Sequence, residues 1–340
     1  MRSYPRSVRL SLTAATAVVA LASLSACGSS STPPANAAVD ASGNTVVTVA
    51  GNTDFTTPVQ LTVPKVEAIR AKLPKAIVDR GTLIIGVGGL PNSTPPLDLI
   101  GSDQKTLTGS EPDLGRLVAA VFGLTPDVQN ASWQNLFVRL KSGQFDAGFS
   151  NITVTEERKT QGLEFASYRK DDLGFEVNKD DPWNFDGNYQ SLAGKTVAVN
   201  TGTNQEKILL EWRNKLQAEG KTLEVRNFAD TNSTYLALSS KRIDAYFYPN
   251  PTVAYHVAKT ASTPTPTRSA GSYSGAGATL QGLIAATTKK DSGLAVPLAE
   301  AINYLIENGQ YEKLLAAYGL QNEALKKSEV NPPGLPINNS

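Results

Sequence analysis

The segment Ser150–Arg158 contains side chains suited to binding a small carboxylate. Arg158 carries a planar guanidinium that can donate two parallel hydrogen bonds to a carboxylate. Asn151 and Thr153 precede it and add polar groups on the loop that leaves a predicted strand. The two glutamates just before Arg158 allow another interpretation, an arginine paired at a helix start.

The segment Thr201–Asn204 has the composition of an anion-binding helix start. It follows a short apolar run and precedes a predicted helix through Trp212. Free N–H groups at a helix start attract anions, and Gly202 permits close backbone approach. Thr203 also suits an N-cap, and Asn204 would then begin the helix. The two roles of Thr203 are compatible.

Alternating strands and helices are predicted to position these segments. Leu83–Val87 is typical of a buried strand, and Asp113–Phe122 has apolar residues on one helical face. Trp133–Leu140 repeats that spacing, which favours an apolar helix face for Trp133 over the alternative that it reaches a ligand cleft, and Phe145–Phe149 is predicted to be a strand. This alternation indicates a parallel α/β architecture.

The chain repeats one pattern. Leu140–Phe149 aligns with Leu238–Phe247, with Leu, Ser, Asp, Ala and Phe in register. The repeat predicts two α/β lobes built on one plan, with a cleft between them where a small ligand would bind.

Composition excludes several classes of function. The chain has one cysteine, one histidine and a net charge of +1. We therefore expect no disulfide and no thiolate or histidine-rich metal site. The small net charge also gives no positive electrostatic potential of the kind that binds nucleic acids. Gly86–Gly89 lacks the third glycine of a dinucleotide fingerprint, because Pro91 stands in its place. We expect neither metal nor cofactor.

The N-terminus is typical of an export signal. Three arginines precede the uncharged stretch 10–24, which is too short to span a bilayer. Leu24–Cys27 resembles a bacterial lipobox, which implies a signal peptide over 1–26 and a lipid on Cys27. The alternative is an ordinary signal with a chance cysteine. Residues 27–62, rich in Ser, Thr, Ala, Gly and Pro, are predicted to form a flexible tether, with a short strand possible at 45–50.

An ordered set of motifs resembles the family 3 extracytoplasmic solute-binding proteins, the amino-acid type of ABC importer receptor. They run from about Ala76 to Leu320 and include Trp133–Gly143, Ser150–Arg158, Leu192–Thr203 and Arg242–Phe247. The resemblance implies a type II periplasmic-binding-protein-like fold of two lobes, each a mainly parallel sheet flanked by helices. It implies lobe 1 at 63–177 and 280–325, lobe 2 at 178–279 and a loose tail at 326–340. The chain would cross the hinge near 174–178 and 279–284.

The resemblance also implies a function. The protein would be a monomeric, lipid-anchored receptor on the extracytoplasmic face of the cell membrane, without enzymatic activity. It would capture an amino acid or related carboxylate-bearing solute and deliver it to ABC permease subunits. A dehydratase-like enzyme on the same scaffold and a ligand-sensing module without a transport role are the alternatives.

The family's binding residues can be carried over by position. Arg158 would pair with the ligand carboxylate, and the other predicted ligand-binding residues are Asn151, Thr153, Gly202, Thr203, Asn204, Thr94, Tyr248 and Asn250. Two positions depart from the family. Thr94 replaces an aromatic wall, and Pro249 replaces the aspartate that binds the ligand ammonium, with the neutral Asn250 one residue later. Asp98, Glu111 and Asp113 are the candidates for the missing anion, and Glu111 also suits the acidic first turn of its helix.

Overall fold

The computed structural model describes residues 37–89, 93–228 and 230–338. The lipidation site predicted at Cys27 and the predicted signal peptide lie outside these residues. The strands described are β1 Ala37–Val39, β2 Thr45–Val49, β3 Val59–Val63, β4 Thr82–Val87, β5 Leu99–Ile100, β6 Leu107–Thr108, β7 Thr125–Asn130, β8 Ala147–Gly148, β9 Leu163–Asn178, β10 Thr196–Val199, β11 Glu224–Asn227, β12 Ala245–Pro249, β13 Thr267–Ser274 and β14 Gly282–Lys289. The α-helices described are α1 Glu67–Arg70, α2 Lys75–Arg80, α3 Ser110–Phe122, α4 Trp133–Ser142, α5 Glu156–Thr160, α6 Asn204–Ala218, α7 Thr231–Ser239, α8 Asn250–Thr260, α9 Ala295–Glu307 and α10 Gln310–Ala317.

The central sheet runs through both lobes. Its order is β11-β10-β12-β9-β14-β8-β4-β7, and β13 also pairs with β9. The pairs of β4 with β7 and β8, and of β10 with β11 and β12, are parallel. Each lobe therefore contains a parallel set of strands, and antiparallel pairs made by β9, β13 and β14 complete one mixed sheet in which the long strand β9 joins the lobes.

The chain changes lobes within β9. Residues up to Asp171 pair with β14 of the first lobe, and residues from Asp172 pair with β13 of the second. The change precedes the predicted crossing at 174–178, and residues 173–177 contribute buried side chains to the second lobe's core. The return crossing lies between β13 and β14 and overlaps the predicted segment 279–284.

Hydrophobic clusters cover both faces of each lobe's sheet. In the first lobe, α3 packs against β4, β7 and α9, and all thirteen of its residues are buried. A separate cluster on the other face contains Leu136, Leu140 and Phe145. In the second lobe, Trp212 of α6 packs in a cluster with Phe175 and Phe247. Helices on both faces of a parallel sheet are typical of α/β proteins.

Residues 37–62 are folded, so the prediction of a flexible tether is wrong over this range. Strands β1, β2 and β3 form an antiparallel sheet, and Val47, Val49 and Leu61 are buried in the first lobe's core. The N–H of Ala50 donates to Asp113 at 2.8 Å and to the Tyr318 hydroxyl at 3.0 Å. Burying valine side chains stabilises by roughly 1.5–3 kcal/mol each, which a solvated tether would forgo.

The C-terminal segment is also folded, which corrects the prediction of a loose tail at 326–340. Val330 bridges to Ala166 of β9, and Leu335 bridges to Thr155. Leu335 is fully buried and belongs to the second lobe's cluster. Its N–H donates to Val154 O at 3.0 Å, and its carbonyl accepts from the Glu156 N–H at 2.9 Å. The segment therefore contacts both lobes.

Two smaller features also bear on the sequence patterns. The Thr/Ser-rich stretch 260–277 contains β13, whose backbone pairs with β9 despite its weak apolar pattern. The predicted strand Phe145–Phe149 is shortened to β8. Among the described residues, no helix combines the length and apolarity needed to cross a bilayer.

Candidate functional site

A cavity of about 250 Å³ lies between the lobes, here called the main cavity. Its walls come from the carboxyl ends of strands and from helix starts, which is where α/β folds bind ligands. The first lobe contributes Gly88, Gly89, Thr94, Leu97, Asp98, Ser132, Trp133, Gln134, Ser150 and Asn151. The second lobe contributes Asn200, Thr201, Thr203, Asn204, Gln205, Phe228, Tyr248 and Pro249.

Asp98 is a buried acid in the wall of the main cavity, with a relative exposure of 2%. The Thr94 hydroxyl and the Thr94 N–H both donate to its carboxylate, the latter at 3.2 Å. Burial, with a smaller contribution from the charge of the nearby Glu111, raises the pKa of Asp98 to about 6, and the hydrogen bonds from Thr94 oppose the rise. Gly89 allows this placement, because a Cβ there would lie 1.9 Å from Asp98 Oδ1.

A buried polar network holds Asn151 in the cavity wall. Asn151 has φ of 50°, a left-handed conformation that asparagine tolerates better than most residues. Its N–H donates to Glu111 Oε2 at 2.9 Å, and its side-chain oxygen accepts from Arg169. Arg169 also pairs with Glu111 at 3.1 Å and with Glu323. Glu111 therefore supports the cavity wall without facing the cavity as a free anion.

The start of α6 brings the second lobe against the hinge strand. Thr203 is the N-cap and accepts from the Glu206 N–H at 3.2 Å. The Asn204 side chain donates to Asp171 Oδ2 at 3.2 Å, and the Thr153 hydroxyl donates to the same oxygen at 2.7 Å. Burial raises the pKa of Asp171 to about 6, opposed by the bond from Thr153.

Arg158 lies outside the wall of the main cavity. Its Nη1 donates to Thr153 O at 2.7 Å, and its guanidinium lies 5.5 Å from the Trp133 ring centroid and 4.9 Å from that of Phe137. It borders a second cavity, which shares Thr203 and Asn204 with the first. Burial lowers the pKa of Arg158 to about 10, opposed by the charge of Asp171. Arg158 therefore lies beside the second cavity and not in the wall of the main one, and its pairing with a ligand carboxylate stays a prediction.

The nine predicted ligand-binding residues divide into two groups. Those lining the main cavity are Thr94, Asn151, Thr203, Asn204 and Tyr248; those outside its wall are Arg158, Thr153, Gly202 and Asn250. Gly202 borders the second cavity, Thr153 is buried against Asp171, and Asn250 begins α8.

The sequence interpretation missed several wall residues. Gly88 and Asn200 directly follow strands β4 and β10, and Ser150 lies two residues after β8; these positions at strand ends are the signal that could have identified them. Trp133, for which an apolar helix face was favoured over the cleft, lines the main cavity and donates from Nε1 to Gly202 O of the second lobe at 3.1 Å. An amphipathic pattern places a residue on a face but does not say that the face reaches another lobe.

Comparison with known proteins supports this interpretation of the fold. The L-cystine-binding protein TcyJ of Escherichia coli K12 is 29% identical over 169 residues, which span 50% of this chain and 59% of that protein. The arginine-binding protein ArgT of Corynebacterium glutamicum is 27% identical over 277 residues, covering 80% of this chain and 85% of the relative. Both are named as binding proteins.

Solved structures and a family model agree. An ancestral arginine-binding protein bound to arginine superposes with a TM-score of 0.59 at 23% identity, covering 70% of this chain and 98% of that one. The family model described as bacterial extracellular solute-binding proteins, family 3, matches residues 87–321. The chain therefore belongs to the family 3 bacterial extracellular solute-binding proteins and has the type II periplasmic-binding-protein fold.

Proposed function

We propose that the protein is the substrate-binding subunit of an ABC importer and captures an amino acid or a related small solute by closure of its lobes. The observation that carries this proposal is the main cavity, whose wall is shared by both lobes and combines polar side chains with apolar surface. Its volume of about 250 Å³ is near the lower end for ligand sites, which favours a small solute. The named functions of TcyJ and ArgT agree with this class of ligand.

Bonds between the lobes support closure as the binding step. Trp133 donates across the cleft to Gly202 O, and Lys207 of α6 lies 3.5 Å from Glu157 of α5. The exposed ion pair contributes little, about 0–1 kcal/mol. Because these contacts between the lobes are weak, a ligand bound by both walls can shift the population of molecules towards the closed arrangement.

The experiment is a thermal-shift screen of the purified protein against amino acids, amines, opines and organic acids, followed by calorimetry. A ligand at 100 times its Kd should stabilise the protein by about 2.7 kcal/mol. Thr201→Trp places a large side chain in the cavity wall and should abolish the shift. Thr222→Trp, at another exposed threonine of the same lobe, is the matched control and should retain it. Equal binding by the two variants, or no shift with any solute, would contradict the proposal.

We further propose that Cys27 is lipidated and holds the receptor beside its permease. The basic residues followed by an apolar stretch and Leu24–Cys27 support this proposal. In detergent phase separation the wild-type protein should enter the detergent phase, and Cys27→Ser should remain in the aqueous phase. Aqueous behaviour of both proteins would refute lipidation.

A further inference from the structure

The main cavity carries negative charge only. Among the described residues in its wall, Asp98 is the single charged side chain, and the wall contains no lysine, arginine or histidine. Arg158, the cation that the sequence placed in the cleft, borders the second cavity and donates to Thr153 O. A ligand carboxylate in the main cavity would thus meet neutral donors, whereas a ligand cation would meet an acid.

Asp98 has no cationic partner among the described residues. Its carboxylate accepts hydrogen bonds from Thr94, and the Ser150 hydroxyl lies 3.4 Å away. These groups are neutral donors, and Glu111 nearby adds repulsion. A buried carboxylate without a counter-charge is unfavourable, and that cost is relieved when a cation binds beside it.

The other acids considered for this role are already paired. Asp113 forms an ion pair with Arg116 at 2.6 Å, away from the cavity wall. Glu111 is paired with Arg169 at 3.1 Å and accepts from the Asn151 N–H. Asp98 is thus the acid of the three that lines the main cavity and lacks a basic partner.

Aromatic side chains complete an environment suited to a cation. Trp133, Phe228 and Tyr248 line the same cavity as Asp98. The charge of Asp98 contributes to raising the pKa of Tyr248, after burial, which places the acid near an aromatic residue of the opposite lobe. Aromatic rings attract cations lying over their faces, and they do so more strongly where water is excluded.

We propose that Asp98 pairs with an ammonium or guanidinium group of the captured solute, and that the main cavity selects cationic solutes. This inference rests on the proposed function. Asp98, on the first lobe, thereby takes the place of the second-lobe aspartate that the family resemblance implies at Pro249. A solute whose only charge is negative is excluded, since it would face an unpaired acid.

The test is calorimetry at pH 7.5 on wild type and Asp98→Asn with arginine, agmatine, citrulline, glutamine and glutarate. Arginine or agmatine should bind, glutarate should not, and Asp98→Asn should weaken cation binding by about 30-fold or more. Citrulline keeps the α-ammonium but lacks the guanidinium, so its binding tells which cationic group Asp98 meets. Asp180→Asn removes an exposed acid that pairs with Lys241 and should leave the affinity unchanged.

A pH series of the wild type gives a second measurement should Asp98→Asn fail to fold. Glu111 of α3 and Tyr248 of β12 are the titratable groups that influence Asp98 or are influenced by it, and Thr94 and Ser150 are its hydrogen-bond donors. Protonation of the acid should weaken cation binding as the pH falls below about 6.

Tight binding of glutarate, an affinity unaffected by Asp98→Asn, or an affinity unchanged down to pH 5 would overturn the inference. Binding that is insensitive to Asp98 would refute this inference alone, whereas no binding by any solute in this panel or the wider screen would refute the proposed function as well.

Discussion

Leu335 provides a quantitative test of the folded C-terminal segment. Its side chain is fully buried and packs in the second lobe's hydrophobic cluster, while its backbone pairs with Val154 and Glu156 of the first. Truncating a buried leucine to alanine removes transfer free energy and leaves a cavity, at a cost of about 2–5 kcal/mol. We expect Leu335→Ala to lower the free energy of unfolding by that amount.

Ile337 is the matched control because it lies two residues away and is 53% exposed. Ile337→Ala should change the free energy of unfolding by less than about 0.5 kcal/mol. The assay is urea unfolding followed by tryptophan fluorescence and by circular dichroism. Equal losses in the two variants, or a loss below about 1 kcal/mol for Leu335→Ala, would refute the assignment of this segment to the folded core.

Three further predictions concern the site. Trp133→Phe removes an indole hydrogen bond between lobes and should weaken ligand binding about 2- to 10-fold by calorimetry. Trp183→Phe removes a comparable hydrogen bond within the second lobe and should leave the ligand affinity unchanged. Gly89→Ala, whose Cβ would overlap Asp98, should lower the free energy of unfolding by about 1–3 kcal/mol and impair binding; a variant of wild-type stability would contradict the close approach. In the ligand-free protein the pKa of Asp98 is raised, so between about pH 4 and 6 the folded state holds a proton on Asp98 that the unfolded state has released. Stability should therefore fall by up to about 3 kcal/mol as the pH rises from about 4 to 6, and this part of the slope should vanish in Asp98→Asn.

Local sequence patterns predicted the two-lobed architecture well. Leu83–Val87 lies within β4, and the apolar face of Asp113–Phe122 lies in α3. The repeated Asp-Ala segments lead into the equivalent strands β8 and β12. These elements follow from hydrophobic periodicity and glycine stops, which depend on near neighbours in the chain. Asn151 and Thr203, which lie in the cavity wall, were named as candidates for the same reason, since each lies within two residues of a predicted element.

The two ends of the folded chain were misjudged because their polar composition masks burial. Residues 37–62 and 326–338 are rich in Ser, Thr, Asn and Pro, yet a few apolar side chains such as Val47 and Leu335 reach a core built from distant residues. Periodicity over a few residues cannot reveal a core that the segment itself does not form.

The charge of the cleft could not be predicted from local sequence patterns. The sequence by itself determined the family, the two α/β lobes and the polar segments that meet between them, because these depend on periodicity, turn residues and ordered motifs. Only the tertiary structure decided that Arg158 is held by Thr153 O beside Trp133, that Arg169 neutralises Glu111, and that Asp98 remains in the cavity wall. The charge presented to a ligand depends on which partners reach each buried group, and those partners come from remote parts of the chain.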